Sequence, residues 1–198
     1  ETEASRVARA PFTTSTMQQV ASTRLGFAPS RTMGVAQKLY EKGFITYMRT
    51  DSTNLSKDAQ MQMVKYVEDN LGKEYAQVNV YAKKSKNAQE AHEAIRPTNP
   101  GRASMGTTED EKKLYKLIWE RAIASQMAPA KILRTKVSAN IKGETIPNFS
   151  INGSRILFPG WLAVDTRSRG EDVEVPKLSE KDALALVKAD MEEKETTP

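Results

Sequence analysis

Residues 15–47 read STMQQVASTRLGFAPSRTMGVAQKLYEKGFITY, and this stretch decides the fold. Ser15 and Gln18 have capping-box spacing and Gly26 supplies a stop, so a helix is predicted over 16–25. After the short Phe27-Ala28-Pro29 connection, Ser30 can cap a second helix with Met33, Ala36, Gln37 and Tyr40 on one face, ended by Gly43. Phe44-Ile45-Thr46-Tyr47 is aromatic and β-branched, which predicts a short strand, and Asp51-Ser52-Thr53-Asn54 follows as a turn cluster. Helix, turn, helix, strand is the outline of a winged-helix-like unit. Many such units bind DNA, but an outline does not define a function.

Downstream, Ser56 caps a predicted helix over 57–71 with Met63, Val64, Val67 and Leu71 as its apolar stripe and Gly72 as terminator. A basic run, Lys83 to Lys86, leads into Glu90-Ala91-His92-Glu93, a candidate short helix that stops at Arg96-Pro97. Thr107-Thr108 then cap a longer helix with Glu109, Asp110 and Glu111 at its positive end. Leu114, Leu117, Ile118 and Ala122 line one face, and the pattern ends near Met127-Ala128-Pro129. Beyond it the pattern becomes alternating, with candidate strands over 131–141, 147–152 and 155–158. Ala183 to Ala189 has no decisive period, and Thr166 to Glu174 and Glu192 to Pro198 read as exposed. The fold class is α+β: a mainly helical domain, 7–131, and a smaller β-rich segment, 132–198 with 1–6.

A chain of 198 residues can bury a core. With no cysteine and one histidine, it cannot build thiolate zinc sites, disulfides, thiol nucleophiles or multi-histidine metal sites from its own residues. No apolar run approaches the roughly 20 residues of a membrane span, so it reads as a soluble protein without a membrane partner. Glu1 stands where an initiator Met would, so the sequence reads as an excised piece or a processed product. The absence of a P-loop, a G-x-G-x-x-G and a D-x-D pair disfavours nucleotide hydrolysis.

The net charge of +5 is concentrated near the N-terminus. Over 4–42 there are six cations, Arg6, Arg9, Arg24, Arg31, Lys38 and Lys42, against Glu41 alone. Such a face suits a polyanion, because each neutralised phosphate releases counterions, and it is equally compatible with a solvated basic surface.

The segment from Gly43 to Ser52 holds the clearest candidate chemistry. If the chain is extended there, Tyr47 and Arg49 share a face. A phenol titrates near pH 10 and is a poor nucleophile at neutral pH, so a neighbouring guanidinium can favour phenolate and stabilise charge growing on a phosphoryl group. The plainer reading is a half-buried strand tyrosine beside a surface arginine. His92 is the only histidine, and a helical turn would bring it beside Arg96 as a cationic clamp for phosphate.

Four ordered motifs give these residues a context. They are Pro11-Phe12-Thr13-Thr14-Ser15-Thr16-Met17-Gln18-Gln19, Ala21-Ser22-Thr23-Arg24-Leu25-Gly26-Phe27, Gly43 to Ser52, and Ala91-His92-Glu93-Ala94-Ile95-Arg96-Pro97. Together they resemble the central part of the bacterial type IA DNA topoisomerases, closer to the topoisomerase I branch than to topoisomerase III or reverse gyrase.

The resemblance implies a helical domain with a core like the helix-turn-helix of the catabolite activator protein, joined to part of a β-rich arch that acts as a hinge. It implies Tyr47 as catalytic nucleophile, Arg49 as the arginine assisting cleavage and His92 as an active-site contact to the DNA backbone, with Arg96, Arg24 and Thr46 as DNA-binding positions. For Arg24, helix packing and DNA contact remain equal alternatives. Tyr47 would attack single-stranded DNA, form a transient 5′-phosphotyrosyl link and allow ATP-independent relaxation of negative supercoils. The implied cofactor is Mg²⁺, held by a toprim domain that this sequence lacks, so the chain is expected to be inactive alone. Its implied partners are DNA and the remaining topoisomerase domains, in the cytoplasm at the bacterial nucleoid. The rival is a non-enzymatic winged-helix DNA-binding module with Tyr47 in its core.

Overall fold

The computed structural model describes residues 1–81, 93–140, 148–176, 178–180, 182–185, 187–188 and 190. Among them the fold is α+β, with α-helices α1 (Thr14–Leu25), α2 (Pro29–Glu41), α3 (Lys57–Leu71) and α4 (Glu109–Ser125). Strands β1 (Thr2–Arg6), β2 (Ala130–Ala139) and β3 (Phe149–Phe158) form an antiparallel sheet in the order β1-β2-β3.

Helix α1 starts two residues before its predicted position. Thr13, not Ser15, is the N-cap, and Thr13 and Thr16 close the capping box reciprocally. Thr16 has a hydroxyl at N3 that reaches the Thr13 backbone N–H at 2.9 Å, leaving the Ser15/Gln18 spacing unused as a cap. Helix α2 begins at Pro29, whose fixed φ and missing N–H suit a first helical position, so Ser30 is not needed as a cap. Its buried stripe is Thr32, Val35, Ala36 and Leu39, rotated from the predicted face so that Tyr40 is exposed. Gly26 and Gly43 follow the two helices at φ 67° and 71°, a left-handed geometry that a Cβ disfavours.

Helices α3 and α4 follow their sequence signals, with Ser56 and Thr108 accepting from the Ala59 and Glu111 backbone N–H groups. Helix α4 is the centre of the helical part, with Leu114, Ile118, Ala122 and Ile123 fully buried against Phe12, Met17, Leu39, Met63 and Val67. Truncating one of these large side chains to Ala should cost about 2–5 kcal/mol.

Three expected elements take another form. Residues 44–47 are not a strand but a bent segment with one bridge, Ile45↔Pro97, so the wing of the winged-helix outline is missing among the described residues. Hydrogen bonds from threonine hydroxyls replace a ladder here. Residues 93–97 are extended, with Ala94 N–H donating to the Asn54 carbonyl and Ile95 N–H to the Phe12 carbonyl, so the described end of the candidate short helix is not helical, while its Glu90, Ala91 and His92 lie outside the described residues. Residues 82–92, which hold the basic run and His92, lie outside the described residues. The predicted strands 147–152 and 155–158 are one strand, β3, because Gly153 sits within it. A Cβ there would come 2.7 Å from the Val173 carbonyl oxygen, so Gly153 marks a close approach, not a break.

The predicted loop 166–174 contains a 3₁₀ turn, Thr166–Ser168, and Val173 bridges to Ser154. The described residues of 183–189 are irregular, and the 192–198 tail lies outside the described set. Between sheet and helices, Trp161 donates from its indole to the Arg6 carbonyl at 2.8 Å and from its backbone to the Ala128 carbonyl at 3.0 Å. The returning chain is thereby tied to both connections that enter the helical part. No described helix is long and apolar enough to cross a membrane.

Candidate active site

Within Ile45-Thr46-Tyr47-Met48-Arg49-Thr50, burial alternates over 47–50 even though the segment is not a regular strand. Ile45, Met48 and Thr50 are buried, whereas Tyr47 and Arg49 are exposed. The period-two argument thus holds for the side chains of 47–50 but not for Ile45, which has the parity of Tyr47 and is buried. Tyr47 is 46% exposed and packs edge-on against Tyr40 at the end of α2, with ring centroids 5.1 Å apart. This position is not the core position expected of the winged-helix rival, and its partial burial also agrees with the plainer, half-buried reading. Arg49 takes part in no salt bridge among the described residues.

Two threonines flank this pair. The Thr46 hydroxyl donates to the Ala94 carbonyl at 2.8 Å and accepts from Arg96 N–H at 3.0 Å, while Thr46 N–H donates to the Arg96 carbonyl at 2.9 Å. On the other side, the Thr14 hydroxyl donates to the Met48 carbonyl at 2.7 Å and accepts from Thr50 N–H at 2.9 Å. Thr14 N–H adds a bond to the Thr50 carbonyl at 2.8 Å. Thr14 belongs to the Pro11–Gln19 motif, but its partners lie 34 and 36 residues away and leave no local signal.

Arg96 is brought to this segment through the Thr46 bonds. Its guanidinium donates to Glu93 at 2.7 Å and to the Pro97 carbonyl at 3.1 Å, while Nε is buried without a partner among the described residues. Glu93 also accepts from Ser56 N–H, the N-cap of α3, at 2.7 Å. Burial alone would raise the Glu93 pKa, but the bonds from Arg96 and Ser56 outweigh it and hold the carboxyl below its ordinary value. Arg96 is thus paired with a carboxylate, and His92, its expected partner in a cationic clamp, lies outside the described residues.

Arg24 lies at the other end of α1. It forms a forked pair with Asp165 at 2.8 and 3.1 Å and a bond to the Ser168 hydroxyl at 2.8 Å. Burial works to raise the Asp165 pKa, yet the Arg24 and Ser168 bonds hold it below the usual carboxylate value. Asp165, 141 residues from Arg24, had no signal in the sequence.

The N-terminal basic face is also changed by folding. Arg24 pairs with Asp165, Arg31 with Asp110 and Lys42 with Glu111, so half of its six cations meet carboxylates from later in the chain. Among the described residues there is no group of three or more His, Asp or Glu arranged to hold a metal. Near Tyr47, the Glu93 oxygens are already occupied by Arg96 and Ser56.

Residues 1–198 match the protein family described as DNA topoisomerase. DNA topoisomerase 1 of Pseudomonas aeruginosa is 46% identical over 199 residues, covering 96% of this chain and 22% of that protein. DNA topoisomerase 1 of Escherichia coli is 48% identical over 185 residues, covering 90% of this chain and 21% of that protein. Among solved structures, full-length topoisomerase I from Thermotoga maritima shares 35% identity with a TM-score of 0.76, covering 91% of this chain and 30% of that one.

Proposed function

This chain belongs to the bacterial type IA DNA topoisomerases, and from that premise we propose that it supplies the nucleophile of a larger strand-passing enzyme. Tyr47 Oη gives up its phenolic proton and attacks the phosphorus of a phosphodiester in single-stranded DNA. The 3′-oxygen leaves and takes up a proton, and a 5′-phosphotyrosyl bond forms. The returning 3′-hydroxyl reverses the step after strand passage. The link conserves the phosphodiester energy, so relaxation of negative supercoils needs no ATP.

The observation that carries this reading is the exposure of Tyr47 and Arg49 on either side of buried Met48, in a segment held from both flanks. An exposed guanidinium with no carboxylate partner among the described residues is available to charge that develops on a transferring phosphoryl group. We assign His92 to the DNA backbone, and Arg96 and Thr46 to the wall beside the nucleophile. We assign Arg24 to packing, because its two terminal nitrogens already serve Asp165 and Ser168. Glu93, with its oxygens engaged by Arg96 and Ser56, does not fit as a Mg²⁺ ligand, and we assign the metal to another domain of the enzyme, with no step routed through it here. The helix pair α1 and α2 serves as a helix-turn-helix core of the kind found in the catabolite activator protein. Residues 7–131 form the tyrosine domain, and 132–198 with 1–6 form part of its arch.

The test uses the intact protein containing this segment, a 3′-labelled single-stranded oligonucleotide and Mg²⁺, stopped with denaturant. A labelled protein band that disappears in Tyr47→Phe is expected. A band that persists in that variant would sink the assignment.

A further inference from the structure

We infer that Thr14 is a positioning residue for the Tyr47/Arg49 pair, an inference that rests on the function proposed above. Thr14 opens α1, directly after its N-cap, yet the hydroxyl is turned away from helix capping. It donates to the Met48 carbonyl at 2.7 Å and accepts from Thr50 N–H at 2.9 Å. These two groups belong to the peptides immediately before and after Arg49. A single hydroxyl therefore fixes both peptide planes that set the direction of the Arg49 side chain. The backbone bond from Thr14 N–H to the Thr50 carbonyl at 2.8 Å makes the connection to α1 rigid.

The segment needs such a pin because it has no ladder. The only bridge in 44–50 among the described residues is Ile45↔Pro97, and Thr46 fixes only the N-terminal side of Tyr47. Without the Thr14 hydroxyl, the Thr50 N–H and Met48 carbonyl lose that side-chain partner, and the backbone bond from Thr14 N–H to the Thr50 carbonyl remains but fixes neither peptide plane next to Arg49. Misplacement of a charge-stabilising group by about 1 Å can cost on the order of 10²-fold in rate. Thr14 touches no substrate in this account; its effect passes through Arg49.

The experiment measures adduct formation at saturating oligonucleotide, together with oligonucleotide affinity, in the intact protein below its melting temperature. Thr14→Val, close in shape but lacking the hydroxyl, should slow adduct formation about tenfold or more while changing affinity less than about twofold. Thr14→Ser, which keeps the hydroxyl, should recover most of the rate. In an Arg49→Ala background, Thr14→Val should add less than about twofold, because the residue it positions is gone. A wild-type rate in Thr14→Val, an equally slow Thr14→Ser, or a full multiplicative loss on top of Arg49→Ala would each overturn the inference. If Thr14→Val does not fold, Thr14→Ala replaces it with the same criteria. Tyr47→Phe is run in parallel: an adduct that persists there removes the proposed function itself, whereas loss of the adduct there with a contrary Thr14 result removes only this inference.

Discussion

The two ends of α1 hold arginine sites with opposite characters. At its C-terminal end Arg24 is 20% exposed and its fork is filled by Asp165, which is 6% exposed, and by Ser168. At its N-terminal end, Thr14 holds a segment whose arginine, Arg49, is exposed and in no salt bridge among the described residues. The same side chain thus serves two purposes, distinguished by its partner. A guanidinium saturated by a carboxylate joins α1 to the chain beyond the sheet, whereas Arg49, two residues after Tyr47, is exposed and in no salt bridge among the described residues.

The sharpest way to break this contrast is to remove each arginine in turn. Arg49→Ala should slow DNA cleavage on the order of 10²-fold with little change in melting temperature or affinity, as for a contact made mainly in the transition state. Arg24→Ala should do the reverse, lowering stability with a nearly unchanged rate per folded molecule. Equal losses of binding and cleavage in Arg49→Ala would make that residue a simple phosphate anchor. Asp165→Ala is next in size. It strips the partner from a largely buried charge and should cost about 2–3 kcal/mol in denaturant unfolding, at the lower edge for buried pairs because Arg24 retains some contact with water.

How much of this contrast could be read from the sequence depended on distance along the chain. The helix caps at Ser56 and Thr108 and the apolar stripe of α4 are local patterns, and each was legible. Tyr47 and Arg49 were legible because alternation needs only neighbouring residues. The bonds that define the two sites were not: Thr14 to Met48 spans 34 residues and Arg24 to Asp165 spans 141. The strand over 44–47 was misread for a related reason, since propensity cannot show that threonine hydroxyls take the place of a paired neighbour. The basic N-terminal face was overstated because Asp110, Glu111 and Asp165 return to it only on folding.

Glu111 tests that return of charge. The side chain is 2% exposed and accepts from Lys42 Nζ at 2.7 Å and from Thr107 N–H at 2.8 Å. The Lys42 bond, followed by that from Thr107, brings its pKa from 4.5 down to about 2. Because the folded value is depressed, its stabilising contribution is present above the unfolded carboxyl value and is lost as pH falls toward the folded one. Glu111→Gln should therefore be less stable than the parent at pH 7, with the difference narrowing between about pH 4.5 and 2. A difference independent of pH would deny the ion pair its part.

The smallest effect concerns salt. Arg9 and Lys38 are in none of the salt bridges among the described residues, whereas Arg31 is paired with Asp110. If Arg9 meets a phosphate, Arg9→Gln should flatten the plot of log affinity for single-stranded DNA against log salt by about 0.7, the value for one neutralised phosphate. Arg31→Gln should leave that slope nearly unchanged. Equal flattening by both would mean that the paired cations reach DNA as readily as the unpaired one.

The most direct measurement maps the covalent link itself. The trapped protein–DNA adduct of the intact protein would be digested with nuclease and protease and its modified peptide sequenced by mass spectrometry. A 5′-phosphate nucleotide remnant is expected on Tyr47, in the peptide containing Met48 and Arg49. A remnant on any other residue, or a bond through a 3′-phosphate, would contradict it.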